Sequence, residues 1–230
     1  MTGVLLVDKP ENWTSFDVVN YVRKIVAAEE GKKPKNVKVG HCGTLDPFAT
    51  GLLIILIGKE YTRQAQSLTK LDKTYEMTMH FAASSTTGDP EGEIIPNTET
   101  QPSADEFNQV VQELTGVIQQ IPPAFSAIKI DGQRAYKLAR AGKEVKIEPR
   151  QVTINDLKIS QYDYPEAHLV ADVSSGTYIR VLVEDIAKKL GCQAYTSALR
   201  RTKIGDYSID DAIQVEGINS EIIQQNLVQL

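Results

Sequence analysis

The sequence predicts an α+β protein, a mixed and mostly antiparallel sheet flanked by helices, and three observations lead there. Strand-length segments, either continuously apolar or alternating, recur along all 230 residues. Capped amphipathic helices fall between them without a strict βαβ rhythm. No segment repeats another, and 41% hydrophobic with 24% charged residues is the composition of a globular rather than a disordered chain.

The elements follow in order. Residues 3–7, Gly-Val-Leu-Leu-Val, read as a buried strand that ends in the turn Lys9-Pro10-Glu11-Asn12. Thr14 or Ser15 caps the next helix, Asp17 stands in its first turn, and Val18, Val22, Ile25 and Val26 make its apolar stripe. A lysine-rich loop, Lys32-Lys33-Pro34-Lys35, precedes a short extended piece at 37–40. Residues 52–57 are apolar without interruption, as in a strand covered on both faces. Residues 73–81 alternate, with Tyr75, Met77, Met79 and Phe81 opposite Thr74, Glu76, Thr78 and His80. Ser103 and Glu106 form a capping box for a helix carrying Phe107, Val110, Val111 and Leu114 and stopping at Gly116. Residues 125–130 read as a strand ending at Asp131-Gly132, after which Arg134, Lys137, Arg140 and Lys143 recur at helical spacing around Tyr136. Leu169, Ala171 and Val173 alternate in a further strand. Past Ser174-Ser175-Gly176 a helix buries Ile179, Leu182, Val183 and Ile186, carries Lys188 and Lys189 in its last turn and closes at Gly191. One domain over residues 1–230 results, with 118–150 as an excursion.

Composition removes several function classes. The longest apolar runs fall far short of the roughly 20 residues of a bilayer span, and the amino terminus lacks the basic region and cleavage site of an export signal, so a cytoplasmic, membrane-free protein is expected. Cys42 and Cys192 form no C-x-x-C pair and suggest neither a disulfide framework nor a zinc site. The net charge of −5 argues by itself against a nucleic-acid partner, but the charge is segregated. Residues 85–115 hold seven acids and no Lys or Arg, and residues 204–230 hold five acids and no base. Residues 129–150 hold seven bases against three acids, and 188–203 hold five bases and no acid. Such patterning permits a basic face on an acidic protein; on charge alone, ordinary solvated faces that happen to cluster are the commoner reading.

Phosphate-loop, dinucleotide, zinc-protease and nucleophile-elbow motifs are absent, and His41, His80 and His168 are too widely spaced to suggest a metal site. What stands out is Gly40-His41-Cys42-Gly43-Thr44-Leu45-Asp46-Pro47-Phe48-Ala49-Thr50-Gly51-Leu52-Leu53. Three glycines and a proline define a tight loop between extended segments, displaying one histidine and one carboxylate. Locally, Asp46 before Pro47 is equally a plain turn residue.

This loop resembles the signature of the TruB family of tRNA pseudouridine synthases, approximately G-H-x-G-T-L-D-P-x-A-x-G-L-L. The resemblance extends through Gly3-Val-Leu-Leu-Val-Asp-Lys9-Pro10, Lys73-Thr-Tyr75-Glu, Gln120-Ile-Pro-Pro-Ala-Phe-Ser-Ala-Ile-Lys129, Ser175-Gly-Thr-Tyr178-Ile-Arg180 and Leu199-Arg200-Arg201. The blocks occur in family order and cover nearly the whole chain.

The resemblance implies the pseudouridine synthase fold and isomerisation of uridine at position 55 in the T loop of tRNA. It implies that Asp46 is the catalytic nucleophile and Tyr75 packs against the uracil. Arg180 would pair with the aspartate, Tyr178 and Leu199 would line the base pocket, and His41 would support the loop from which the uridine is extracted. The side-chain types suit these roles, since a guanidinium keeps a carboxylate ionised and a tyrosine offers a stacking face to an unstacked base. Without the resemblance, Tyr75 and Leu199 read as core and Arg180 as an exposed charge near a helix start. The resemblance also makes 118–150 an insertion that closes on RNA, with Lys129, Arg134, Lys137, Arg140 and Lys143 on phosphates, joined by Arg200, Arg201 and Lys203. No cofactor and no metal are expected, since the reaction is a redox-neutral rearrangement, and tRNA is the expected partner of a monomer that needs no other protein.

Many members continue into a PUA-type RNA-binding module, which is expected to be absent here. Two rival readings stand beside this one: a guide-dependent synthase of ribosomal RNA, and an RNA-binding or tRNA-folding protein without catalysis.

Overall fold

The structure, a computed structural model, describes residues 1–98, 101–126, 128–130, 133–135, 138 and 147–229. Among these the strands are β1 (Gly3–Lys9), β2 (Val39–Cys42), β3 (Thr50–Ile57), β4 (Lys73–Phe81), β5 (Ala83–Ser85), β6 (Ile94–Pro96), β7 (Gly116–Gln120), β8 (Lys129–Ile130), β9 (Gln133–Arg134), β10 (Arg150–Asp163), β11 (Glu166–Val173), β12 (Ala194–Ile204), β13 (Tyr207–Ser208) and β14 (Ile213–Gln214). The helices are α1 (Ser15–Glu29), α2 (Lys59–Thr62), α3 (Ala65–Thr69), α4 (Ala104–Glu113), α5 (Ile179–Lys189) and α6 (Ser220–Gln225). Two compact units form, one from Met1–Glu76 with Leu199–Leu230 and one from Met77–Ala198.

The first unit is built on β1 and β3, paired antiparallel from Gly3↔Ile57 to Lys9↔Gly51. Its strand order is β14-β1-β3-β12, with β2 also antiparallel on β3 and β12 parallel to it at Arg200↔Thr50 and Arg201↔Gly51. Both central strands are buried along their length because both faces are covered, as the continuous apolar run at 52–57 predicts. On one face Leu5, Val7, Leu53 and Ile55 pack with Val18, Val22 and Val26 of α1 and Ile223 of α6. On the other, Leu6, Leu52, Ile54 and Leu56 pack with Tyr61 and Leu68 of α2 and α3. Each such side chain contributes about 1.5–3 kcal/mol, which makes these layers a stiff base for the loop between β2 and β3. Thr14 starts α1 through a full capping box with Asp17.

In the second unit the order is β12-β4-β11-β10-β7. The alternation of β4 is realised, with Met77, Met79 and Phe81 buried. Phe81, Phe107 and Tyr162 form an aromatic cluster with ring centroids 5.3–5.8 Å apart, joining the sheet to α4. Ser103 caps α4 reciprocally with Glu106, and the Lys189 ammonium at the end of α5 meets Glu113 of α4 at 2.9 Å. His80 and His168 are half-buried strand residues, His80 facing Glu166 at 3.7 Å and His168 bonded to Thr78 at 3.1 Å.

Several sequence expectations need correction. The excursion starts after residue 120, since Ile118, Gln119 and Gln120 pair with Val152, Gln151 and Arg150 in the sheet. The strand expected over 125–130 shrinks to Lys129–Ile130, hydrogen-bonded to Gln133–Arg134, so Arg134 stands in a hairpin strand rather than on a helix. The extended piece at 37–40 is shifted to Val39–Cys42. Lys137, Arg140 and Lys143, with the turn pair Asp131-Gly132, lie outside the described residues.

Candidate functional site

The Asp46 loop joins β2 to β3 across residues 43–49, and it is fastened on both sides of the aspartate. The buried Ser15 hydroxyl accepts from Leu45 N at 2.8 Å and donates to Leu45 O at 3.1 Å. Lys9, at the buried end of β1, directs its ammonium to the carbonyls of Pro10, Trp13 and Pro47 at 2.9, 2.6 and 3.1 Å. Asn12 N donates to Pro47 O at 2.9 Å, and Ala49 N donates to Asp46 O at 3.1 Å. Leu45, Phe48 and Ala49 are buried beneath. With residues 45 and 47 both locked, the half-buried Asp46 has little backbone freedom, so the entropy of placing its carboxylate is spent on folding rather than on reaction.

The glycines of the motif have separate duties. Gly43 takes φ +74°. Gly51, at φ +103°, lies so close to Arg201 that an added Cβ would stand 2.3 Å from the Arg201 carbonyl oxygen.

Arg201 departs from its expected place on an RNA-facing surface, because its side chain is 1% exposed. Its Nε donates to Leu52 O at 2.8 Å and a terminal nitrogen to Gly43 O at 3.0 Å, tying β12 to both ends of the loop. Arg200, next in register, points the other way and forms a bidentate pair with Asp8 at 2.7 and 3.1 Å. That hydrogen-bonded pairing pushes the Arg200 guanidinium further up, and Gln214 holds the same carboxylate at 2.9 Å. Arg200 therefore has an intramolecular partner rather than an open charge; Lys203 is exposed.

Lys73, also buried, donates to the carbonyls of Thr69 (2.8 Å) and Leu71. Burial, helped by the Arg201 charge, pushes its ammonium down to about 8. Burial pushes the Cys42 thiol up to about 11, which leaves it protonated and unreactive at neutral pH. His41 lies half-buried on β2 opposite Ile55. Tyr75 and Leu199 are buried at 7% and 8% exposure in the same unit, where their types also fit core positions.

Tyr178 and Arg180 belong to the second unit, at the start of α5. The Gln120 amide accepts from Tyr178 N at 2.8 Å and donates to Tyr178 O at 3.1 Å, fixing the entry to the helix. Arg180 is 4% exposed, so it is not the exposed charge that a position near a helix start suggests. One terminal nitrogen donates to Asp89 Oδ2 and to Thr87 O, each at 2.8 Å, and the other donates to Phe125 O at 3.0 Å. Asp89 is equally buried, its second oxygen accepting from Thr87 Oγ1 at 2.6 Å and Glu91 N at 3.0 Å. Against the neighbouring Gly88, an added Cβ would stand 2.6 Å from Glu184 Oε1. Burial raises the Glu184 carboxyl, against the pull of Arg180.

Sequence reasoning assigns no site role to Lys9, Lys73, Asp89 or Gln120, and reads Ser15 only as a candidate helix cap, a place that Thr14 takes. For Asp89 a signal is present: Gly88-Asp89-Pro90 repeats the Asp-Pro turn of the motif loop. Lys129 and Arg134 are placed by their backbones in the β8–β9 hairpin. Among the described residues no three His, Cys, Asp or Glu side chains gather as a metal site, and no helix is long and apolar enough to cross a membrane.

Known proteins match this chain in sequence and in fold. Residues 30–179 match the family model described as TruB family pseudouridylate synthase (N terminal domain), and residues 180–229 match the tRNA pseudouridylate synthase B C-terminal domain. The chain is 43% identical over 220 residues to the tRNA pseudouridine synthase B of Pseudomonas fluorescens, covering 96% of this chain and 69% of that relative. It is 44% identical over 218 residues to the protein of the same name from Aquifex aeolicus, covering 94% and 73%. Among solved structures, a Cbf5–Nop10–Gar1 complex matches with TM-score 0.71 and 27% identity, over 99% of this chain and 60% of that one.

Proposed function

The chain belongs to the TruB family of pseudouridylate synthases, and from that premise we propose that it converts uridine to pseudouridine at position 55, in the T loop of tRNA. The observation that carries this reading is the Asp46 loop, which presents one carboxylate between two backbone positions locked by Ser15 and Lys9. Breaking the N1–C1′ bond, turning the base and rejoining it through C5 needs a fixed nucleophile and no electron carrier. Asp46 is that nucleophile. The target nucleotide leaves the stack, at a cost of about a few kcal/mol, offset by stacking on Tyr75 and contact with Tyr178 and Leu199. His41 fills the place it vacates.

Arg180 holds the Asp46 carboxylate ionised and oriented, itself oriented by Asp89. Phosphate contacts come from the 121–149 region, with Lys129, Arg134, Lys137, Arg140 and Lys143. Residues 1–230 act as a cytoplasmic monomer, without guide RNA, protein partner or cofactor. The test is to incubate the purified chain alone with unmodified tRNA and map pseudouridine, with the molecular mass in solution measured on the same sample. Product at the T-loop uridine from a monomer supports the reading; no product until a guide RNA or a partner protein is added overturns it.

A further inference from the structure

One sequence feature, the lysine-rich loop at 32–35, is not used by the chemistry above. In the first unit that loop borders an open cleft of about 480 Å³ whose lining includes Arg23 and Lys24 of α1, Lys35 of the turn Pro34–Asn36, and Lys38 and Val39 at the start of β2. Among the described residues no acid lines it. Lys24, Lys35 and Lys38 are exposed, and so is Lys33 beside them. Arg23 is preset: one terminal nitrogen donates to Asn20 Oδ1 at 2.7 Å, the other to Val39 O at 2.9 Å, and its guanidinium stands 5.7 Å from the Phe16 ring centroid. Phe16 is 57% exposed. Of the two acids just before that loop, Glu29 is exposed, and Glu30 is occupied by the terminal amine at 2.7 Å and by Lys32 at 2.8 Å. A second cleft, sharing Asn20 and Lys24, continues the surface to Trp13 and Tyr21 and carries one acid, Asp17, which is bonded to Thr14 at the start of α1.

We propose that this cleft is a docking site for the sugar–phosphate backbone of the substrate tRNA, separate from the pocket for the flipped uridine. Four cations from three elements around one open space fit a polyanion better than a small anion, which a closed pocket would hold. The exposed Phe16 ring and the half-buried Trp13 and Tyr21 offer faces for ribose and bases. Lys38 lies three residues before His41 along β2, about 10 Å at ordinary strand rise, so an RNA strand engaged at the Asp46 loop reaches the cleft within a few nucleotides.

The inference rests on the tRNA substrate proposed above, and the test separates the two. Affinity for unmodified tRNA is measured from roughly 50 to roughly 200 mM salt, the range over which phosphate contacts report, for wild type, the double variant Lys35→Ala/Lys38→Ala and the remote control Lys158→Ala. Heparin serves as a non-RNA polyanion, and pseudouridine yield and thermal unfolding are followed for each protein. The expected result is a log–log salt slope shallower by about 1.4–1.8 for the double variant, from about 0.7–0.9 per lost contact. The control keeps the wild-type slope and all variants keep the wild-type melting curve. An unchanged slope in a folded double variant overturns the proposal, as does an effect on heparin binding without one on tRNA. A wild type that forms no pseudouridine yet shows the cleft-dependent slope overturns the catalytic reading and leaves the cleft standing.

Discussion

Two buried arginines anchor the two regions that carry the candidate chemistry, and they are satisfied in different ways. Arg201 donates to two backbone carbonyls, Gly43 and Leu52, beside the buried Lys73, and no carboxylate among the described residues pairs with it. Arg180 donates to two carbonyls as well, but adds the buried carboxylate of Asp89. The first arrangement fixes backbone and leaves positive charge under the loop; the second fixes a guanidinium by pairing it with a carboxylate. A cation bonded to carbonyls braces the backbone, whereas a cation clamped by a buried acid has its own side chain fixed in place. That difference makes Arg201 a brace of the Asp46 loop and Arg180 a side chain whose own position is held by Asp89.

Breaking each clamp tests the distinction. Asp89→Ala removes the buried carboxylate bonded to Arg180 and should lower unfolding free energy in urea by about 3–5 kcal/mol, the largest effect expected; Asp89→Asn, which keeps hydrogen-bonding atoms, should cost less. Gly51→Ala forces a Cβ onto the Arg201 backbone at a positive φ and should cost about 3 kcal/mol or more by the same measurement. A loss under about 1 kcal/mol, the scale of a surface change, would mean that β12 does not brace the loop as tightly as its register indicates.

Lys73 gives the comparison a pH dependence. Its folded-state value of about 8 lies below the ordinary 10.5, so the folded state gives up the proton first. Stability from this group is therefore fully present above the unfolded value and is lost as pH falls through about 8. The wild type should gain roughly 3 kcal/mol relative to Lys73→Met between these limits, read as the difference between the two urea titrations; parallel titrations would show that Lys73 is not strained. The smallest effect is Ser15→Ala, which strips Leu45 of both partners of its backbone groups. It should cost about 1–2 kcal/mol and lower the pseudouridine rate at saturating tRNA more than it weakens binding.

Much of this is legible in the sequence where the signal is local. Thr14 and Ser103 announce their helices because a capping box spans four residues, and β4 shows its buried face through an unbroken period of two. Other features depend on distant partners. β10 hides its pattern because register shifts at Ile154/Asp156 and Ile159/Gln161 break the alternation, and most of its residues are not buried. Arg200 and Arg201 look interchangeable in sequence, yet the burial phase of β12 slips after Thr196, placing Leu199 and Arg201 inside and Arg200 half out. Asp89 shows in sequence only an Asp-Pro turn within an acidic stretch, since the arginine it pairs with is 91 positions away.

The most direct measurement is single-turnover pseudouridine formation in unmodified tRNA by Asp46→Asn, with tRNA affinity determined on the same protein. A nucleophilic Asp46 predicts a rate lower by at least about 10³-fold with the dissociation constant essentially that of wild type. Pseudouridine formed by Asp46→Asn at the wild-type rate would contradict it.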